Sequence, residues 1–532
     1  MADRPSERAF DAAQSSAIWR STTGSTARPP DGTHGAPETV ARVFDRALAD
    51  DPDREALVTR AHRLTYAELD RLADRAAHAL AGFGVGTGDR VAACLPNEAE
   101  VVVAFHGAMR LGAVWVGVNR ALAPPEKRWQ LADCGASLLL SDERLDDAGV
   151  PVIDADGWRA ALDAAAGGPV GVEVDPYAPA GIAYTSGTTG RPKGAVHSQH
   201  NLLLPGAVLV ATRGYGPELR KGDCFPFTIL NMAVLTTLLV SQAGGTSIVM
   251  DRIDAEGVAE WIRRERVTTW NGPPALLHSL AHMGEIDPSD LSSLDEVWTG
   301  GADCPEAIRS AFETKFGLPV LATYGLSEAP TVVAIDGRAG DDHVPGASGR
   351  PLPHLAVRIT GDDGASLPAG HAGEICVGPA DDRYRTMLGY WQRADASAEA
   401  LRGGELHTGD IGFLDEDGRL HVRDRKSLII LRGGANVYPA EVERVLLDHP
   451  AVAAGAVLGV PDERLGERVA AVVEAAPGAE VDVDEVRAHL QANLAKYKVP
   501  EHIAVVDALP RNAMGKIVRT ELPGLLSEAP AG

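Results

Sequence analysis

Tyr184-Thr185-Ser186-Gly187-Thr188-Thr189-Gly190-Arg191-Pro192-Lys193-Gly194 interleaves glycines and hydroxyls with two cations. Such a composition suits a polyphosphate. Glycines let backbone N–H groups approach an anion closely, hydroxyls add donors, and Lys193 and Arg191 supply charge. The apolar lead-in Gly181-Ile182-Ala183-Tyr184 reads as a short strand feeding the loop. The Walker A pattern is met nowhere in it. The stretch is therefore either a different nucleotide loop or a Gly/Ser/Thr surface connection.

The rest of the chain bounds the answer. Its 532 residues, 45% of them hydrophobic, exceed one ordinary core, so two or more domains are expected. No apolar run reaches the length of a membrane span: even residues 232–240 are short and interrupted by threonines. Residues 1–38 are polar, rich in Pro, Gly and Ser, and lack an apolar targeting core; they read as a flexible leader of a cytoplasmic protein. Cys94, Cys134, Cys224, Cys304 and Cys376 are dispersed, which suggests buried thiols and neither a disulfide framework nor a zinc site. A net charge of −24 argues against nucleic acid or an anionic membrane as partner. Acidic ligands must then be met by local basic groups.

Working outward from the loop, Thr65 and Glu68 have capping-box spacing, and Leu69, Leu72, Ala73, Ala76 and Leu80 follow at helical intervals. The glycine cluster at 82–88 reads as a helix stop, since G-x-G-x-x-G is not satisfied. A strand at 90–95, a helix at 99–111 and a strand at 113–116 set up a β/α alternation that predicts an open, mostly parallel sheet covered by helices. The alternation resumes after the loop, with strands expected at 246–250, 267–270 and 296–299. Past Pro351 short strands at 356–359, 373–377 and 418–422 with Gly/Asp turns predict a small antiparallel barrel. A compact α+β unit then begins, with a helix opened by Pro439 and closed at His449-Pro450, strands at 452–460 and 469–474, and a helix at 483–494. The fold class expected is α/β: a large N-terminal domain (39–426) of parallel-type sheets with helices plus a small β-barrel subdomain, and a small mobile α+β C-terminal domain (427–532).

Order and spacing extend the reading of the loop. T-S-G-T-T-G-x-P-K-G resembles the phosphate loop of the adenylate-forming (AMP-binding) superfamily, and further segments resemble that superfamily in family order from about Thr39 to Lys516. Val297-Trp298-Thr299-Gly300-Gly301-Ala302-Asp303 resembles the glycine turn whose backbone lies along adenine. Thr323-Tyr324-Gly325-Leu326-Ser327-Glu328 resembles Y-G-x-T-E, with Ser327 for the usual threonine. By that resemblance Tyr324 stacks on adenine and Glu328 holds Mg²⁺. Thr408-Gly409-Asp410 resembles the motif whose aspartate accepts both ribose hydroxyls, and Arg425 matches the arginine reaching ribose and phosphate. Gly433-Gly434-Ala435-Asn436-Val437-Tyr438-Pro439 resembles the loop lining the pantetheine channel. Pro510-Arg511-Asn512-Ala513-Met514-Gly515-Lys516 resembles the C-terminal motif whose lysine bridges carboxylate and α-phosphate.

The resemblance implies two half-reactions: a carboxylate attacks the α-phosphorus of ATP, releasing pyrophosphate, and a thiol then displaces AMP. Lys516, Mg²⁺ on Glu328, and the donors of Thr185, Ser186, Thr188, Thr189 and Lys193 would stabilise the gathered anions, with Gly187 and Gly190 shaping the loop. Lys516 and the Gly433–Pro439 loop cannot serve one carbonyl at once, so the small domain is expected to rotate. The sequence ends soon after Lys516, which makes CoA, not a fused carrier domain, the expected thiol.

Two stretches depart from the family pattern. Ser427 and Leu428 stand where a charged hinge is usual, which bears on the balance between the two poses. Phe225-Pro226-Phe227-Thr228-Ile229-Leu230-Asn231-Met232 replaces P-x-F-H. A pocket of Ile229, Asn231, Met232, Trp270, Asn271, Gly272 and Gly300 would be mainly apolar. It favours a hydrophobic or aromatic acid over an amino acid, since no acidic residue is there to pair with an ammonium. The leading reading is an AMP-forming acyl-CoA synthetase using ATP, Mg²⁺ and CoA, with a homodimer as an admissible assembly. Alternatives are a relative running one half-reaction only, making acyl-AMP for a carrier protein or loading a supplied acyl-AMP onto CoA, and a non-catalytic nucleotide-binding protein.

Overall fold

The structure is a computed structural model and describes residues 37–185, 192–300, 304–338, 343–380, 386–425, 428–432, 435–462, 465–512 and 516–528. The expected leader falls almost wholly outside them.

Strand Arg90–Cys94 shows why the chain folds in layers. Successive side chains point to opposite faces, and here both faces are buried: Val91 and Ala93 join one apolar cluster, Ala92 and Cys94 another. A strand buried on both sides requires helices over both faces of its sheet. One face receives helices Tyr66–Gly82, Ala99–Leu111 and Gln199–Arg213; the other receives Pro124–Cys134 through Leu131 and Cys134. The predicted capping box starts the first of these helices, with the Thr65 hydroxyl accepting from the Glu68 N–H at 3.2 Å and Glu68 accepting from the Thr65 N–H at 2.9 Å. Helices 66–82 and 99–111 pack nearly backbone to backbone, because a Cβ on Gly107 would lie 2.4 Å from that of Ala76.

Arg90–Cys94 is central in a seven-stranded sheet. Strands Val114–Gly117, Leu138–Ser141, Val152–Ile153 and Pro179–Thr185 run parallel within it, and Lys193–Ser198 and Gly389–Tyr390 close one edge antiparallel. A second, nine-stranded sheet has a parallel centre, Val320–Leu326, Glu296–Gly300, Thr269–Asn271, Arg220–Asp223, Thr246–Val249 and Glu55–Val58, in that spatial order. Val249, Trp298 and Leu321 turn toward the helices shared with the first sheet. Ile248, Trp270, Val297 and Val320 face helices Ala255–Glu265, Pro274–His282 and Glu306–Phe316. The expected parallel sheet is thus two sheets enclosing a common helical layer.

The small barrel expected after Pro351 is corrected. Strands Leu355–Thr360, Gly373–Pro379, Leu406–Leu414 and Leu420–Arg425 are antiparallel as expected, but their order is linear, and no pairing joins the first to the last among the described residues. Four strands leave too short a perimeter to close around side chains. The C-terminal unit pairs Val452–Asp462 with Gly466–Ala475, adds His502–Val506 in parallel, and packs helices Pro439–Leu447 and Val483–Asn493 on its apolar face.

Candidate active site

Parallel strands direct their carboxyl ends to one side of a sheet, where loops form a crevice. Pro179–Thr185 ends in the phosphate loop, Glu296–Gly300 in the glycine turn, Val320–Leu326 at Ser327-Glu328, and Arg220–Asp223 in the segment 225–232. The last three share the carboxyl edge of the nine-stranded sheet for this reason, while Pro179–Thr185 belongs to the seven-stranded sheet, which meets that edge through the His197–Ser327 and Tyr390–Glu328 hydrogen bonds.

The expected phosphate loop lies between two strands that pair antiparallel. Thr185 pairs with Lys193 and Tyr184 with Gly194, and the Thr185 hydroxyl donates to the Lys193 carbonyl at 3.3 Å. Ser186, Gly187, Thr188, Thr189 and Gly190 lie outside the described residues, as do Gly301, Ala302, Asp303, Gly433, Gly434 and the hinge residue Ser427. Lys193 holds its ammonium 4.6 Å from the centre of the Tyr390 ring. The Tyr390 hydroxyl donates to Glu328 Oε1 at 2.8 Å. The neighbouring Ser327 carbonyl accepts from His197 Nε2 at 2.7 Å, which fixes that imidazole as the Nε2–H tautomer; burial pushes its pKa down to about 4.

Asp410 is nearly enclosed, at 6% exposure, and both its oxygens are engaged. Oδ1 lies 3.0 Å from Arg425 Nε, and Oδ2 accepts from the Tyr324 hydroxyl at 2.6 Å. Burial, and then the Asp410 charge, push the Tyr324 phenol well above its ordinary range. Gly409 has φ +73°, the left-handed turn that presents the aspartate, and the Thr408 hydroxyl accepts from the Asp410 N–H at 3.0 Å. Lys516, from the small domain, lies in the field of this same pair. Its side chain keeps exposed area, yet the protein around its ammonium lowers its pKa, with Arg425 acting in the same direction and Asp410 opposing. Thr323 donates to the Thr299 carbonyl at 2.9 Å, and a Cβ on Gly300 would fall 2.0 Å from that hydroxyl oxygen; Gly325 is as tight, 1.6 Å from the Thr331 carbonyl. The glycine turn and Y-G-x-S-E segment therefore depend on missing side chains.

At the expected acyl wall Ile229 and Asn231 are half-buried and Met232 is buried, with Asn271 half-buried and Gly272 buried nearby. Trp270 is a correction. Its ring is 0% exposed in the core beside Cys224 and Val297, and a Cβ on Gly272 would meet it at 2.2 Å. The indole thus backs the wall at Gly272 instead of lining it.

Sequence reasoning missed Asn97, Gly117, His197 and Tyr390. Asn97 spans three backbone groups: Nδ2 donates to the carbonyls of Phe225 at 2.9 Å and Met250 at 3.0 Å, and Oδ1 accepts from the Phe227 N–H at 2.8 Å. Gly117 abuts the same segment, since a Cβ there would lie 1.5 Å from the Thr228 carbonyl oxygen. Only the position of Gly117 at the end of an apolar strand hinted at a close approach.

A large α/β domain with a buried carboxylate paired to an arginine and a small α+β C-terminal domain is the arrangement expected of an adenylate-forming enzyme. Residues 44–391 match the profile described as AMP-binding enzyme, and 441–516 that of the AMP-binding enzyme C-terminal domain. The chain is 39% identical over 466 residues to a feruloyl-CoA synthase of Amycolatopsis sp, covering 86% of this chain and 93% of the relative. It is 34% identical to an indoleacetate–CoA ligase of Aromatoleum aromaticum, covering 92% and 98%. Among solved structures, ATP-bound MatB from Rhodopseudomonas palustris superimposes with a TM-score of 0.84 at 30% identity, covering 92% and 99%. The chain belongs to the AMP-binding enzyme family. It is an acid–thiol ligase of the AMP-forming acyl-CoA synthetase type, and no helix among the described residues is long and apolar enough to cross a membrane.

Proposed function

We propose that the enzyme activates an apolar or aromatic carboxylic acid with ATP and passes the acyl group to CoA. In the first step a carboxylate oxygen bonds to the α-phosphorus, the bond to the β-phosphate breaks, and pyrophosphate leaves. In the second the CoA sulfur bonds to the acyl carbon, AMP leaves, and the thiol proton is released. The observation that carries this reading is the Asp410–Arg425 pair, with Asp410 also held by Tyr324 and Lys516 within electrostatic reach of both; on this reading ribose and α-phosphate would meet the carboxylate there. Asp410 would take the ribose diol, Tyr324 would flank adenine, and Lys193 and Thr185 would hold the departing phosphates.

The donor set fits magnesium. Glu328 offers a hard carboxylate oxygen held in place by Tyr390, and one or two carboxylates together with substrate phosphates is the usual way that ion is bound. When bound it would neutralise phosphate charge. For the second step the small domain, bounded near residue 427, would rotate to bring the 433–439 loop to the carbonyl; residues 39–426 and 427–532 are the proposed moving units.

The acid class follows from the wall of Ile229, Asn231 and Met232, which carries no charge, and from relatives whose names specify aryl acids. ATP–pyrophosphate exchange across aryl, fatty and amino acids, followed by thioester detection with CoA, tests it. Exchange is expected with aryl or apolar acids. Exchange restricted to amino acids would overturn the acid class, and CoA loading of synthetic acyl-AMP without any exchange would overturn the two-step reading.

A further inference from the structure

We propose that Tyr390 is a positioning residue that keeps Glu328 and Lys193 apart and individually aimed at the metal–polyphosphate. This rests on the reading of Glu328 as the magnesium carboxylate.

A carboxylate and an ammonium on adjoining loops, with no phosphate between them, attract one another, and a direct pair would neutralise both groups the substrate needs. Among the described residues no ion pair joins Lys193 to Glu328. Tyr390 stands between them and satisfies each by a different part of one ring: its hydroxyl donates to Glu328 Oε1 at 2.8 Å, and its π face receives the Lys193 ammonium at 4.6 Å. Neither contact removes charge from its partner.

The ring is held from its surroundings and is 7% exposed. Strand Gly389–Tyr390 pairs with the hairpin arm that begins at Lys193, matching Tyr390 to Ala195. The Tyr390 N–H donates to Ser397 Oγ at 2.8 Å. Trp391 Nε1 donates to the Asp133 carbonyl at 3.0 Å, and Arg393 bonds the Asp133 carboxylate. The same carboxylate accepts from the Tyr184 hydroxyl at 2.8 Å on the other hairpin arm. Helix Pro124–Cys134 thereby locks the phosphate hairpin and the Tyr390 segment into one frame.

The test separates the two halves of the ring. Tyr390→Phe keeps the face for Lys193 and loses the donor to Glu328; Tyr390→Leu loses both. Equilibrium binding of α,β-methylene-ATP with and without Mg²⁺ reads the metal-dependent part, and AMP, which lacks the β- and γ-phosphates, is the control. A hydrogen bond to a charged group predicts that Tyr390→Phe reduces the tightening by Mg²⁺ about tenfold. It should also raise the Mg²⁺ concentration for half-maximal exchange, while AMP binds within about twofold of wild type. Tyr390→Leu should add a loss of metal-free nucleotide affinity. Unchanged Mg²⁺ dependence in Tyr390→Phe, or AMP affinity falling in parallel with that of the triphosphate, overturns the proposal. Glu328→Gln distinguishes the levels: if it leaves the Mg²⁺ dependence intact, the reading of Glu328 itself fails; if it shifts the dependence and Tyr390→Phe does not, only the spacer role fails.

Discussion

Lys221→Met removes the cation from a fully buried ion pair. Lys221 Nζ lies 2.7 Å from Asp223 Oδ2, with side-chain exposures of 0% and 2%, and Thr236 donates to the same oxygen at 2.9 Å. Burial raises the Asp223 pKa even in the intact protein, with Lys221 and Thr236 holding it down. Stranding that carboxylate should destabilise by about 3–5 kcal/mol at neutral pH or above. With an unfolding entropy near ~2.1 cal/mol/K per residue, a cooperative unit of several hundred residues loses about 1 °C per kcal/mol, so the midpoint should fall by roughly 3–5 °C at pH 8. The sign with pH is fixed. A carboxyl whose folded pKa is raised binds more protons folded than unfolded, so the deficit is small at pH 4 and grows as pH rises through the folded pKa of Asp223. The doubly apolar Lys221→Met/Asp223→Leu should recover most of the loss. Thermal unfolding of the three proteins from pH 4.5 to 8 is the assay. A deficit in Lys221→Met that does not vary with pH, or a double variant no more stable than the single, would refute the reasoning.

Three further outcomes bear on the reaction. Lys516→Ala should lower ATP–pyrophosphate exchange by about 10²–10³-fold, the scale of losing one preorganised charge-stabilising group, while thioester formation from supplied acyl-AMP is largely spared; equal losses would contradict the assigned step. Because burial and then Arg425 lower the Lys516 pKa, exchange should decline on the alkaline side below the pH of an ordinary lysine, and Arg425→Gln should move that limb upward whatever it does to the maximum rate; a limb that stays put removes Lys516 as its source. Gly117→Ala must displace the Thr228 carbonyl, so KM for the acid should rise by roughly tenfold or more with AMP affinity within about twofold, and calorimetric AMP binding checks the second half.

What could be read in advance follows from the range of the interactions. The Thr65–Glu68 cap and helix Ala99–Leu111 rest on neighbours within a turn or two, and the sequence pattern locates both. Whether the strands after Pro351 close or stay open depends on pairing between distant edges, which short strand patterns do not record. Trp270 was legible with more care: successive residues of strand Thr269–Asn271 point to opposite faces, so Trp270 and Asn271 cannot both line one pocket. Tyr390 lies on a two-residue strand with no periodicity, and Asn97 acts on carbonyls 128 and 153 positions away. Neither leaves a local trace.

Asn97 and Gly117 also say how choice of acid is insulated from use of ATP. Both follow or end strands of the seven-stranded sheet, the sheet whose edge hairpin carries Lys193, yet both grip a wall that grows from the nine-stranded sheet. On the proposed function the wall's backbone is therefore referenced to the frame that would hold the phosphates, through contacts to the main chain at 225, 227 and 228. Ile229, Asn231 and Met232 come just after those contacts, and their side chains are free to change without moving them. Substitutions at those three positions should redirect the acid at constant ATP affinity, whereas Asn97→Ala, which frees the backbone, should weaken every acid alike.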